Sequence, residues 1–420
     1  MDAAARHQLI SDRCSFQGRG PGTDAERRAA DWLATRLRQS GRRAEIEPTY
    51  VHPQWSVVIA AHALLAVVGG LVALTLAPLG FGLVLLSAAS LYLDQNTRFY
   101  LLRRLFFRRA SQNVVSKGRS VAAPADLMLV AHYDVARTGL IYGPRSVRLA
   151  RRVSERFRVW LGPLRLIFWA GISPLLIISG LRMAGLDSQL INVIQLLPTV
   201  GLLVFILLLI DIAQSDYVPG AYDNASGVAA ALSVAEALDT DPPEHLNVSV
   251  ILTGAEEANA EGMTRYISYH RRSIPPERTY FLNLDSLSFG SVHFVGSEGA
   301  ILNQITEPRL FALCQAISEA DERYRAAPVA IPLHTDALPL ITRGFRAISL
   351  IGATDGVGAP QYHTPEDLPE KVDDDALTLA VEFALELIRA IDRDVDRAVA
   401  TQARGDTEPP TRPEPATQAA

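Results

Sequence analysis

Two kinds of hydrophobic pattern alternate along the chain. The first is a long, nearly uncharged run over residues 56–93, in which Ala, Val, Leu and Gly dominate. Pro78-Leu79-Gly80 divides it into two segments, the second short for a full crossing of roughly 20 residues, so a tight helical hairpin is expected with Trp55 and Tyr92 as interfacial anchors. A buried hairpin of a soluble core is the alternative, and the absence of charge through Val72 speaks against it. A second such region covers residues 159–213. Residues 159–180 hold Arg165 near their start, residues 181–188 make a turn, and residues 190–210 are apolar apart from Asn192 and Gln195. The pattern predicts four membrane-spanning helices in two hairpins.

The other pattern is the short apolar run of a buried strand, alternating with amphipathic stretches as in an α/β domain. Helical spacing marks residues 23–40, with Asp24 and Glu26 in the first turn and Gly41 as a stop. Strands are predicted over 126–131, 247–253, 278–284, 291–295 and 347–351. Helices are predicted over 225–238 and 374–391, and the Pro-, Thr- and Glu-rich end of the chain reads as a disordered tail. Three strands lead straight into His132, Glu256-Glu257 and Asp285, at the rim where open α/β sheets place their sites.

Each hairpin returns the chain to the side it left, so the polar parts can form one domain on one face. The expected division is 1–55, an N-terminal part of that domain; 56–94, the first hairpin; 95–158, a segment with basic flanks; 159–213, the second hairpin; 214–395, the main domain; and 396–420, the tail. Arg98, Arg103, Arg104, Arg108 and Arg109 follow the first hairpin, and Arg145, Arg148, Arg151, Arg152, Arg156 and Arg158 precede the second, whereas the opposite turns offer only Arg182. That asymmetry predicts an integral, multi-pass protein with its polar domain on the cytoplasmic face, in contact with membrane lipid.

Composition narrows the chemistry. A net charge of -5 over 420 residues gives no reason to expect a nucleic acid partner. Cys14 and Cys314 are the only cysteines, so no disulfide framework or thiolate metal site is expected, and any metal must be held by His, Asp and Glu. Met1 to Ser15 is polar, without the apolar core of a cleavable signal peptide.

Five motifs supply such ligands. In His132-Tyr133-Asp134 the carboxylate can orient the imidazole. Asp223, in Asp223-Asn224-Ala225-Ser226-Gly227, opens a helix, where it reads either as a cap or as a carboxylate bridging two cations. Glu256 and Glu257 repel each other after a hydrophobic strand unless a cation or proton separates their roles, which suits one ligand and one base. Asp285 has the same strand-end setting, and His363 lies in the loop Tyr362-His363-Thr364.

The motifs, in this order, resemble those of the zinc-dependent aminopeptidases of metallopeptidase family 28, which also includes carboxypeptidases. Gly20-Pro21-Gly22-Thr23 before an Ala-rich helix is similar to that family's entry. The resemblance implies an α/β fold with a mixed central sheet flanked by helices, and two zinc ions per chain. It further implies one zinc on His132 and Asp285, a second on Glu257 and His363, Asp223 bridging both, Glu256 as general base and Asp134 as the partner of His132. The implied activity is exopeptidase hydrolysis of peptides. Two features depart from the pattern: Ala337 stands where a Ser-Asp-His motif would place histidine, with His334 as a substitute, and Tyr362 beside a ligand is a candidate substrate contact. A non-catalytic peptide-binding member of the fold and a single-zinc glutaminyl cyclase are the alternatives.

Overall fold

Apolar residues at alternate positions along the strands set the layering. The computed structural model describes residues 1–118, 122–148, 152, 162–354 and 358–404. In β3 (Ala125–His132), Leu127, Leu129 and Ala131 enter one core while Met128 and Val130 enter another on the opposite face. β4 (Leu246–Thr253) divides likewise, with Val248, Val250 and Leu252 against Ile251. In β5 (Thr279–Asp285) it is Leu282 and Leu284 against Phe281. Burial on both faces explains why these strands read as continuous apolar runs.

With β1 (Glu45–Val51), β2 (Arg109–Ser116), β6 (Ser291–Glu298), β7 (Gln304–Ile305), β8 (Ala327–Ile331) and β9 (Arg346–Ala353), they form a nine-stranded mixed sheet. Its order is β1-β2-β4-β3-β5-β9-β6-β7, with β8 beside β6. The centre, β4-β3-β5-β9, is parallel, and β2 and β6 flank it antiparallel. Helices α1 (Ala3–Cys14) and α2 (Asp24–Gln39) cover the larger core. So do the later helices Gly227–Thr240 and Asp374–Arg404.

Four further helices carry the apolar runs: α3 (Trp55–Val72), α4 (Ala77–Gln95), α5 (Pro163–Met183) and α6 (Gln189–Gln214). All are long and apolar enough to cross a membrane. They share a core of their own, in which small residues allow close approach: a Cβ on Gly69 would lie 2.8 Å from Val84 Cγ2. Polar atoms inside are paired between helices, as His62 Nε2 with Ser90 Oγ at 2.9 Å and Gln195 Nε2 with the Gly70 carbonyl at 2.9 Å.

Three expectations are revised. The break in the first hairpin falls before Pro78, which occupies the first turn of α4 where its missing N–H costs nothing, so α4 has 19 residues and is not short. The closing helix runs on from Ile391 to Arg404, with Val395 still buried, so the first residues assigned to the tail are helical. Strand β2 escapes a hydrophobic reading because its buried centre is Ser111, Gln112 and Asn113, each hydrogen-bonded. Arg151, Arg156, Arg158, the expected start of the second hairpin at Val159-Trp160, and residues 405–420 lie outside the described residues.

Candidate metal centre

The parallel register brings strand ends together. His132 pairs with Thr253 across β3 and β4, and Asp285 closes β5 beside them. Asp223 arrives from the loop after α6, and its position is forced by local contacts. Gly220 sits at φ +68°, where a Cβ would lie 2.3 Å from Val135 and 2.6 Å from the Asp223 carbonyl; glycine alone suits that turn. Asp367 accepts the backbone N–H groups of Tyr222 (2.7 Å) and Asp223 (3.1 Å). Asn224 caps the following helix at Gly227 N (2.8 Å) and also accepts from Ser286 N (2.9 Å), tying the Asp223 loop to the end of β5.

The side chains converge in pairs about Asp223. His132 Nε2 lies 3.1 Å from Asp223 Oδ1 and 3.6 Å from Asp285 Oδ1. On the other side, His363 Nε2 lies 3.0 Å from Asp223 Oδ2 and 3.4 Å from Glu257 Oε1. One ligand atom each from His132, Asp223 and Glu257 falls within 4.8 Å of the others. Although it is buried and close to two carboxylates, His363 Nε2 makes no hydrogen bond. Donors that approach one another off the hydrogen-bond line, as ligands aimed at a common ion would, fit a metal better than a simple ion pair.

Asp134 organises the neighbouring turn. Its Oδ1 lies 3.5 Å from His132 Nδ1 and accepts Glu256 N at 3.1 Å, while Oδ2 accepts Glu257 N at 3.0 Å. Glu26 adds a second hold, accepting Ala255 N at 3.1 Å and Ser111 Oγ at 2.8 Å. The turn needs it: Ala255, Asn259 and Ala260 all take positive φ, as do Ser286 and His363 nearby. Left-handed backbone costs a non-glycine residue roughly 1–2 kcal/mol, and such residues cluster where a fold holds functional groups in place.

Electrostatics point the same way. Burial opposes a charged imidazole, but Asp134, Asp223 and Asp285 outweigh it and hold the His132 pKa well above its ordinary value. Burial likewise opposes the Asp223 carboxylate, and the imidazoles of His132 and His363 hold its pKa down. Glu256 is pushed well above the carboxylate range by burial, with Glu257, Asp336 and Asp285 adding to the effect against His132. Among the described residues, no Lys or Arg pairs with Asp223, Glu257 or Asp285.

Tyr362 stacks on His363, ring centroids 3.8 Å apart, and Tyr142 meets the same imidazole edge-on at 4.7 Å. Among the described residues, His334 makes no hydrogen bond or ion pair with these side chains, and burial together with the charge of Arg103 lowers its pKa to about 4. Ala337 lies in an apolar cluster with Phe281 and Met263. Asp336 is buried next to it, accepts from Thr253 Oγ1, and has a pKa raised to about 7, chiefly by burial. Sequence reasoning missed Glu26, Asp367, Tyr142 and Arg19. Arg19 joins the two ends of the second insert, donating to the carbonyls of Tyr133 (3.2 Å), Pro219 (2.6 Å) and Gly220 (2.8 Å). It adjoins the Gly20-Pro21-Gly22-Thr23 motif, the only local signal for it.

The architecture, a mixed sheet flanked by helices, is similar in fold to that of a zinc-dependent exopeptidase. Residues 208–388 match the model of peptidase family M28, a span that holds Asp223, Glu256, Glu257, Asp285 and His363 but stops short of His132. No curated protein matches the chain. Among solved structures, a Zn-dependent exopeptidase from Parabacteroides distasonis is 15% identical with a TM-score of 0.52, covering 93% of this chain and 99% of that one. A zinc aminopeptidase from Bacillus subtilis is 12% identical with a TM-score of 0.53, covering 93% and 95%. The glutaminyl cyclase of Bacteroides thetaiotaomicron is 14% identical, also with a TM-score of 0.53, covering 92% and 97%. These likenesses are of fold.

Proposed function

We propose that this chain is a membrane-anchored di-zinc exopeptidase, acting as an aminopeptidase on peptides. The observation that carries the reading is the division of Asp223 between two imidazoles, one on each carboxylate oxygen, with Asp285 and Glu257 on the outer sides. One ion fits His132, Asp285 and Asp223, and a second fits Glu257, His363 and the other oxygen of Asp223. Imidazole with carboxylate suits zinc, and the matched family and the named zinc enzymes of the same fold support that choice. When bound, a zinc pair lowers the pKa of a water and polarises a carbonyl.

The chain's own residues supply the rest. Glu256 belongs to the ligand-bearing turn without being needed as a ligand, which leaves its carboxylate to take a proton from water and return it. Water's oxygen joins the carbonyl carbon, the C–N bond breaks, and the Glu256 carboxyl delivers the proton to the leaving amine. Asp134 fixes the Glu256-Glu257 turn through two backbone N–H groups and steadies His132. Tyr362, stacked on His363, would contact the substrate, a role its position beside a candidate ligand supports.

Anchoring is supported by the outer surface of α5 and α6. Leu197 is 81% exposed, and Leu190, Val193, Val204 and Leu207 are exposed too. Unbroken apolar surface of that kind suits lipid. The basic flanks favour the cytoplasmic face, since the opposite turns offer only Arg182 against their many arginines. The proposed division keeps one peptidase domain interrupted by two hairpins.

The test is hydrolysis of an aminoacyl-anilide panel by detergent-purified protein, with bound metal counted in the same sample. Two zinc ions per chain and zinc-dependent amine release are expected. One zinc with pyroglutamate formation would replace this reading with a cyclase, and peptide binding without turnover would replace it with a binding protein.

A further inference from the structure

Both apolar inserts leave the sheet from the edge that carries the candidate metal ligands. β1 ends at Val51 opposite Arg109, where β2 begins, and β2 runs antiparallel to β4 with Val114 beside Leu252. Val51 and Arg109, the exit and return of the first hairpin, therefore lie at the level of Thr253 and beyond, on the Glu256-Glu257 side. The second insert leaves directly after His132 and comes back beside itself, Arg137 bridging Tyr217, before reaching Asp223. No described hairpin departs from the opposite edge, where β3, β4 and β5 begin at Ala125, Leu246 and Thr279.

Side chains carry this arrangement up to the ligands. Tyr142 touches the His363 ring and also packs, with Ile141, against the core of the apolar helices. Leu140 N donates to Asp211 Oδ2 in α6 at 2.7 Å. The loop after β6 belongs to the same contact: Ala300 and Ile301 are buried in the helix core, and Trp169 Nε1 of α5 donates to the Ile301 carbonyl at 3.1 Å. Beneath the first hairpin, Arg103 Nη1 donates to the Ala258 carbonyl at 3.1 Å, one residue past Glu257.

From this placement we infer that the site faces the bilayer, and that its substrate is a peptide held at the membrane surface by its own apolar segment, with a free amino end near the headgroups. The inference rests on the peptidase and membrane readings above. A rim whose helices enter the bilayer faces a shallow layer next to the lipid, where a membrane-held chain is concentrated and a bulky soluble protein is excluded. The opposite sheet edge stands about 26 Å further out, the length of an eight-residue strand at about 3.3 Å per residue.

That geometry sets a reach that can be measured. Full-length protein reconstituted in phosphatidylcholine vesicles is given peptides with one N-terminal sequence joined to a C-terminal membrane-spanning helix by a Gly/Ser spacer of about 4 or about 16 residues, spanning at most about 14 or 55 Å. The same N-terminal sequence without the helix is the soluble control. The short-spacer peptide should be cleaved at least as fast as the long one, and about 10²-fold faster than the soluble control at equal bulk concentration, as tethering raises effective concentration. Cleavage of the long-spacer peptide alone, or of the soluble control alone, would overturn the inference. If none of the three peptides is cleaved, the peptidase reading itself fails and takes the inference with it.

Discussion

Two buried clusters of charge lie one turn apart and differ in how they are balanced. At the rim, Asp134, Asp223, Glu256, Glu257 and Asp285 surround two imidazoles, a clear excess of negative charge. At the root of the first hairpin the account closes within the protein. Arg103 makes a bidentate pair with Asp94 at 2.8 and 2.7 Å and lies 3.8 Å from Glu261. Glu261 also takes His52 Nδ1 at 2.9 Å and Arg265 Nη2 at 2.6 Å, and Asn259 Nδ2 donates to the Asp94 carbonyl at 3.0 Å. A buried charge set that is complete in itself is a fastening. One left incomplete by the same fold is a place for a cation, because uncompensated buried carboxylates are costly.

Four measurements press on that contrast, beginning with the largest expected effect. Glu256→Gln should lower kcat by about 10³-fold or more, the scale of a lost general base, while bound zinc and the melting temperature stay near wild type. A parallel loss of metal would make Glu256 a ligand and erase the distinction drawn within the Glu256-Glu257 pair.

Arg103→Met should destabilise the protein by about 3–5 kcal/mol, since it strands the Asp94 carboxylate in the interior, whereas Glu261 keeps His52 and Arg265. Thermal unfolding in detergent reads this, and adding Asp94→Leu should recover part of the loss. No change in stability would show that the root cluster is not balanced by Arg103.

Metal removal comes next. A dialysed apoprotein should unfold at lower temperature, and restoring free zinc to about 100 times its Kd should return about 2.7 kcal/mol. The root cluster should be indifferent to chelation. Equal stability with and without metal would count against the rim as a cation site.

The smallest effect per step, about 1.4 kcal/mol for each pH unit, concerns Glu298, buried behind the rim, whose carboxyl is pushed up to about 8, mainly by desolvation, despite accepting Thr335 N at 2.7 Å. Its folded pKa lies above the ordinary 4.5, so the folded chain keeps a proton that the unfolded chain has released. The contribution of this group to stability is therefore full below about pH 4.5 and declines by about 1.4 kcal/mol per pH unit until about pH 8. Glu298→Gln should flatten this slope in denaturant titrations across that window; an unchanged slope would assign it to other groups.

Much of this arrangement was legible in the chain. Strands β3, β4 and β5 announce themselves as apolar runs because both faces are buried; β3 ends on His132 and β5 on Asp285, and β4 ends at Thr253, three residues before Glu256, because the polar positions after a buried strand lie on the rim. The supporting residues were not legible. Glu26, Asp367 and Arg19 act through backbone groups brought close only by folding, and nothing local marks them apart from surface charges. His334 is a different case, a suggestive position in sequence that makes no hydrogen bond or ion pair with the candidate ligands among the described residues.

The sequence by itself determined the alternation of apolar helices with an α/β domain, and the kinds of side chain able to bind metal, because both depend on local composition and on periodicity along the chain. Only the tertiary structure decided that His132 and His363 meet opposite oxygens of Asp223, and that both hairpins spring from the rim bearing those residues. Strand direction and register fix which ends of distant segments share an edge, and those are properties of pairing across the sheet that no single segment contains.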